Sequence, residues 1–224
     1  MPIIPLLSHD SIEFPDPDSA DERGILAVGG DLSTKRLLEA YRQGIFPWFS
    51  RRSPIMWWSP NPRCVLFPED LKIARSMRPY LNQPKFGFSI DRQFAAVIHK
   101  CGTVRRGTWI TPDMEAAYCQ LHALGYAHSI EVWEEEELVG GLYGIALGKC
   151  FFGESMFSLR SNASKFGFIR LVQRLSAKGY WLIDCQQETD HLLSLGADAI
   201  PRKDFLEILR RNESEETEVG KWEV

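Results

Sequence analysis

Asp184, Gln186 and Glu154 are the residues of this 224-residue chain whose types and settings could do chemistry. Asp184 follows the apolar run Tyr180–Ile183, and a carboxylate there is costly unless it finds a donor. Strand residues two apart share a face, so Gln186 is expected beside Asp184. Its amide NH2 would donate to the carboxylate, leaving its carbonyl oxygen to accept from an incoming amine. Glu154 is the odd residue in KCFFGESMF. Alternation groups it with Phe152 and Met156, where it would recognise an amine or guanidinium or orient a neighbour. Plainer readings stand beside these: Asp184 could cap a turn with Gln186 on the surface, and Glu154 could be a strand-edge acid paired with a Lys or Arg.

The seven tryptophans are the second unusual feature. Trp48 lies between Pro47 and Phe49 in GIFPWFS, a loop that cannot be a helix interior. It could stack on an unpaired base or plug a gap between domains. Trp109 follows Arg105, Arg106 and Gly107, so base stacking and sheet packing are both open. Trp57 and Trp58 are adjacent and point oppositely in an extended chain, so one is expected in the core.

Those residues must be held by something. Hydrophobic content of 44% and charged content of 25% are ordinary for a globular protein. No apolar run approaches the ~18 residues of a membrane span, and the start of the chain lacks the basic region of a secretory signal. Five scattered cysteines without a C-x-x-C pair suit a reducing, cytoplasmic setting; scattered histidines give no metal set. The net charge of -4 is unevenly spread. Arg51 to Arg106 holds eleven Lys/Arg against three Asp/Glu, whereas Gly107 onward holds eleven against nineteen. A local basic field can hold a phosphate backbone on an acidic chain, although ordinary solvated charge explains the counts as well.

Leu32–Arg42 has a helical pattern with Leu37, Leu38 and Tyr41 on one side, Asp31 or Ser33 as cap and Gly44 as stop. The segment through Pro62 is rigid, aromatic and irregular, so residues 1–62 read as a small N-terminal domain and 63–224 as a second. In the second, strands are expected at Cys64–Phe67, Phe86–Ile90, Ala127–Trp133, Leu138–Ala146, Lys149–Phe157 and Tyr180–Cys185, with Glu134–Glu137 as a hairpin turn. Helices are expected at Leu71–Tyr80, Arg92–Lys100, Pro112–Leu124, Asn162–Lys178 and His191–Leu195. Phe205–Leu209 reads as either a last strand or a terminal helix, and Asn212–Val224 as an acidic tail, mobile up to its final Trp222. The order of elements is α+β with a largely antiparallel mixed sheet. Neither G-x-G-x-x-G nor GxxxxGK[ST] occurs in the chain.

GGDLS (29–33), GIFPWFS (44–50), WWSPNPR (57–63), GTWIT (107–111), HSIEVW through NASK (128–165) and LIDCQ through IPR (182–202) occur in one order over nearly the whole chain. Together they resemble the leucyl/phenylalanyl-tRNA–protein transferases. The resemblance implies a GCN5-related N-acetyltransferase-like domain behind a smaller N-terminal one. It also implies transfer of Leu or Phe, less well Met, from aminoacyl-tRNA to proteins beginning with Arg or Lys, marking them for degradation. Where an acetyl-CoA enzyme has its glycine-rich pyrophosphate loop this chain has FSLRSNASKFG, so no cofactor is implied. A CoA-dependent N-acetyltransferase or a non-catalytic RNA-binding module is the alternative. By the resemblance Glu154, Asp184 and Gln186 lie at the reaction centre. Trp48 and Trp109 hold the terminal adenosine, and Leu142, Met156, Phe168, Leu171, Leu175 and Ile183 line the aminoacyl pocket. Asp184, Glu154 and Glu131 could attract a basic acceptor. A monomer with no membrane partner is expected.

Overall fold

The computed structural model describes residues 4–83, 85–104 and 108–223; Arg105, Arg106 and Gly107 beside Trp109 lie outside that set. Strands β1 (Leu6–Leu7), β2 (Ile25–Gly29), β3 (Phe46–Pro47) and β4 (Met56–Trp58) form a four-stranded sheet ordered β1-β2-β4-β3. Helix α1 (Thr34–Arg42) follows β2. The Ser33 side chain caps it by accepting from the Arg36 N–H, and Asp31 instead accepts the Ser33 N–H at 2.8 Å. Gly44 then turns the chain at φ +70°, a conformation only glycine adopts freely. Of the adjacent tryptophans, Trp57 is the core residue, fully buried and donating its indole N–H to the Gly29 carbonyl at 2.9 Å.

The second sheet has seven strands: β5 (Arg63–Leu66), β6 (Gly87–Ile90), β7 (Ala127–Glu134), β8 (Glu137–Leu147), β9 (Cys150–Ser158), β10 (Leu182–Gln186) and β11 (Asp198–Ile200). Their order is β11-β5-β10-β9-β8-β7-β6. All neighbours are antiparallel except β9 and β10. The remaining helices are α2 (Arg78–Asn82), α3 (Phe94–Thr103), α4 (Pro112–Ala123), α5 (Ala163–Ala177), α6 (Asp190–Leu193) and α7 (Arg202–Asn212). α5 makes the crossover that a parallel pair requires. It comes very close to the sheet, because a Cβ on Gly140 would meet Ala163 at 2.8 Å and one on Gly167 would meet Val132 at 2.9 Å. The sheet separates two apolar layers. One joins α1, α3, α4 and α7 to Trp57, Tyr143 and Phe152; the other joins α5 to Ile130, Phe151 and Ile183.

Two expectations need correcting, and one open alternative closes. Leu71–Tyr80 is not one helix: a 3-10 turn at Arg75–Met77 leads into the short α2, since Pro79 lacks an N–H and cannot sit inside a longer helix. Of the two readings open for Phe205–Leu209 the helix is the one that forms, as part of α7, and the last strand is the preceding β11. The tail is not loose. Trp222 is 2% exposed and stacks on His128 with ring centroids 3.7 Å apart. Its backbone N–H donates to Asp91 at 2.8 Å, and Gly220 N–H reaches the Gly125 carbonyl. Trp222→Ala is therefore expected to cost about 3–5 kcal/mol, the usual penalty for deleting a buried aromatic. Urea unfolding measures this, and an unchanged midpoint would mean that the tail does not brace the fold. No described helix is long and apolar enough to cross a membrane.

Candidate active site

β9 and β10 pair only at Cys150–Phe152 and Leu182–Asp184. Beyond those residues they part, and β9 runs on to Ser158. Both strands bulge where they separate. On β9, Gly153 pairs with Gly144 and Ser155 with Tyr143, which leaves Glu154 as an extra residue. On β10, Asp184 pairs with Val65 and Gln186 with Cys64, which leaves Cys185 extra. A bulge re-aims its side chain and shifts the alternation beyond it. Phe152 therefore packs in the α1/α3/α4 layer whereas Met156 packs in the α5 layer, and the expected common face of Phe152, Glu154 and Met156 does not exist. On β10 the register shifts between Asp184 and Gln186, yet Ile183 and Cys185 still pack together in the α5 layer, as alternation expects.

Asp184 is fully buried and held by Arg63, the first residue of β5. Arg63 Nε donates to Oδ1 at 2.7 Å and Nη2 donates to Oδ2 at 2.6 Å. The guanidinium is itself 1% exposed and lies between the rings of Phe46 and Phe205, 4.8 and 4.6 Å from their centroids. Asp184 Oδ1 also accepts the backbone N–H of Gln186 at 2.9 Å. That bond fixes Gln186 at φ +62°, left-handed backbone that costs a residue with a Cβ about 1–3 kcal/mol. The expected bond from the Gln186 amide to Asp184 does not form, because Arg63 occupies the carboxylate. The amide Nε2 donates instead to Glu154 Oε1 at 2.8 Å.

Glu154 is the convergence point. Oε1 also accepts from Tyr41 of α1 at 2.6 Å, and Oε2 accepts from Tyr118 of α4 at 3.0 Å; the two hydroxyls touch one another as well. Tyr41 sits on the buried stripe of α1 with Leu37 and Leu38, and Tyr118 on that of α4 with Met114 and Leu121. Burial raises the Glu154 pKa from 4.5 to about 7, against the lowering effect of its three donors. The carboxyl is thus near half-ionised at neutral pH. Burial and the neighbouring Glu154 charge push both tyrosine hydroxyls well above their usual range, so they remain donors.

Glu154 and Gln186 both line a cavity of about 410 Å³. Its walls include Leu142, Met156, Phe168, Leu171 and Ile183, and Trp48 and Trp109 also face it. Both tryptophans are half-buried, with the indole N–H of Trp58 tying down the Trp48 carbonyl at 2.6 Å. Two expected members are elsewhere. Leu175 lies one turn beyond Leu171 on α5 and is wholly enclosed in the core. Glu131 is buried behind the sheet, where Ser89, Ser129 and the N–H groups of Arg92 and Gln93 satisfy it. Arg63, Tyr41 and Tyr118 are the site residues that sequence reasoning missed. The available signal for the tyrosines was a hydroxyl on each apolar stripe, which must find a partner when buried; nothing local flagged Arg63.

Residues 65–210 match the family model described as leucyl/phenylalanyl-tRNA protein transferase, and residues 30–61 match the model of its N-terminal domain. The chain belongs to this family. The leucyl/phenylalanyl-tRNA–protein transferase of Syntrophus aciditrophicus is 54% identical over 99% of this chain and 94% of its own. That of Hahella chejuensis is 57% identical over 93% and 91%, respectively. Among solved structures, a GCN5-related N-acetyltransferase from Kribbella flavida overlaps at a TM-score of 0.37 and 11% identity, over 74% of this chain and 59% of that one. The transferase family motifs quoted above fall at the parted strands: GESMF carries the β9 bulge and LIDCQ the β10 bulge.

Proposed function

We propose that this chain transfers Leu or Phe, and Met less well, from aminoacyl-tRNA to the α-amino group of proteins beginning with Arg or Lys. Family membership supports the donor and the class of acceptor. The observation that carries the site assignment is the single cavity that joins an apolar wall to the Glu154–Gln186 pair. An apolar side chain would lie along Leu142, Met156, Phe168, Leu171 and Ile183. One methylene changes binding by only about 1–3 kcal/mol, which suits overlapping use of the three amino acids.

The donor is an ester on the terminal ribose, already activated, so the reaction needs positioning and removal of one proton. The acceptor α-amine, with a pKa near 7.7–8.0, is partly neutral at pH 7. With its NH2 committed to Glu154, Gln186 keeps its carbonyl oxygen for the amine. The amine nitrogen attacks the ester carbon, an N–C bond forms, and the C–O bond to the ribose breaks. Ionised Glu154 accepts the amine proton, directly or through water, and a proton returns to the ribose oxygen. Asp184 has its charge matched by Arg63 and acts by holding Gln186 in place. Counter-charge for a basic acceptor side chain comes from Glu154, with Glu188 and Asp190 exposed on either side of the cavity-facing Thr189. The tRNA lies toward the Lys/Arg-rich part of the chain, acting in the cytoplasm on a monomeric enzyme.

Radiolabelled leucine should pass from Leu-tRNA to a peptide beginning with Arg and not to the same peptide beginning with Ala. Transfer to neither would remove the reading. Trp48→Ala and Trp109→Ala should each raise the KM for aminoacyl-tRNA, since one stacked base contributes about 1–3 kcal/mol; unchanged KM in both would take the tryptophans out of tRNA binding.

A further inference from the structure

Cys64 and Cys185 are distant in sequence and meet across β5 and β10. Cys185 is the extra residue of the β10 bulge, set between partners that face Val65 and Cys64. The residue opposed to Cys64 is Gln186, and opposed Cα atoms of antiparallel strands lie about 4.5–5.5 Å apart. Cys185 is the next residue along, so bringing its Cα within the ~4.4–6.8 Å that a disulfide spans draws on the bulge. Both side chains turn to the α5 layer of the core, and the Cys185 thiol donates to the Ile183 carbonyl oxygen. Cys64 is 1% exposed. Cys185 is half-buried and faces the cavity, so a small oxidant can reach its sulfur.

We infer that Cys64 and Cys185 form a reversible disulfide on exposure to hydrogen peroxide, and that this bond shuts the site. The Cys185 sulfur attacks one peroxide oxygen and the O–O bond breaks, giving a sulfenic acid and one water. The Cys64 sulfur then attacks the oxidised sulfur. The S–S bond forms, the S–O bond breaks, and the departing hydroxyl leaves as a second water with the Cys64 proton. Two thiols are oxidised and one peroxide is reduced to two waters; an added dithiol reverses the change. The neighbouring Cys64 thiol and burial hold the Cys185 proton on, which makes the first step slow. The neighbouring Cys185 thiol lowers the Cys64 pKa and readies it for the second step.

The bond acts on the site through the bulge. A disulfide requires its two Cβ atoms ~3.5–4.5 Å apart and a dihedral near ±90°. Cys185 must then leave its present setting, in which its Sγ lies 3.8 Å from the Ile183 carbonyl oxygen. Asp184 and Gln186 flank it, and both the left-handed angle of Gln186 and its 2.8 Å bond to Glu154 depend on that backbone.

The test treats the full chain with hydrogen peroxide under native conditions, blocks remaining thiols and maps the peptides by mass. A linked Cys64–Cys185 peptide lighter by two hydrogens is expected, together with loss of most leucine transfer, and dithiothreitol should restore both. Cys64→Ala and Cys64→Ser should transfer leucine normally before treatment and keep doing so afterwards. Absence of the linked peptide, its presence with undiminished transfer, or equal inactivation of the Cys64 variants would each overturn the inference. The effect on transfer rests on the proposed function, whereas the linked peptide does not. If untreated protein transfers nothing, that reading fails and the mass map still decides whether the bond forms.

Discussion

An Arg63→Met protein is expected to be about 3–5 kcal/mol less stable than the parent, because it strands a buried carboxylate without its partner, and to transfer almost nothing. Asp184 has no solvent to fall back on. Its two oxygens take 2.7 and 2.6 Å bonds from one guanidinium whose planar fork matches them. Without that fork the carboxyl either protonates or pulls in water, and the Gln186 N–H loses a fixed acceptor. Asp184→Asn should show the same loss of transfer. The double variant, with both charges gone, should recover much of the stability and none of the activity, since neutral replacement of a buried pair is often tolerated where breaking it is not. Denaturant unfolding of the four proteins gives the coupling. Single variants as stable as the parent would mean that this ion pair does not hold the floor of the site.

Glu154→Gln is expected to lower kcat by about 10²–10⁴-fold, the usual contribution of a positioned proton acceptor, while the KM for aminoacyl-tRNA changes little. The pH dependence gives a second reading. The raised pKa of about 7 makes the ionised, proton-accepting form rise through neutrality, so kcat of the parent should climb through about pH 7 and that step should vanish in the variant. Stability runs in the opposite direction. Folding raises this carboxyl from 4.5 to about 7, so between those values the folded chain takes up a proton. The stabilisation by protonated Glu154 is complete below the lower value and is lost as pH climbs through the upper one. The glutamine variant should therefore gain stability relative to the parent above pH 7. A variant that keeps the parental rate profile would remove Glu154 from proton transfer.

Much of the scaffold is legible in the sequence. The hairpin of β7 and β8 follows from alternation around Glu134–Glu137, and α4 from Pro112 at its start. The strands of the first sheet are only two to five residues long, too short to show a period. What was not legible is what a bulge or a distant partner decides. The extra residue at Glu154 breaks the period-two rule where side-chain direction matters most. Arg63 reaches Asp184 only because β5 is inserted beside β10, which no local pattern announces. Leu175 shows the reverse limit: its helical spacing from Phe168 and Leu171 is right, yet one further turn carries it past the end of the cavity. The tail reads as mobile up to Trp222 by composition, whereas Thr217 and Gly220 already tie it to the Gly148 and Gly125 turns.

The strand order carries a consequence for how the protein is made. β5 is synthesised early, yet its neighbours in the sheet are β10 and β11, which emerge more than a hundred residues later. Until they do, Arg63 is a cation without its counter-ion and Cys64 has no facing strand. Glu154 likewise can gather Tyr41 and Tyr118 from an incomplete chain but not Gln186. The contacts that close the site are thus among the last the ribosome makes possible, and such long-range closures are the slow ones in folding. A nascent or prematurely terminated chain would carry the tyrosine-bound carboxylate without the amide proposed to align the amine, and on that proposal would be inert toward the N-termini being made around it.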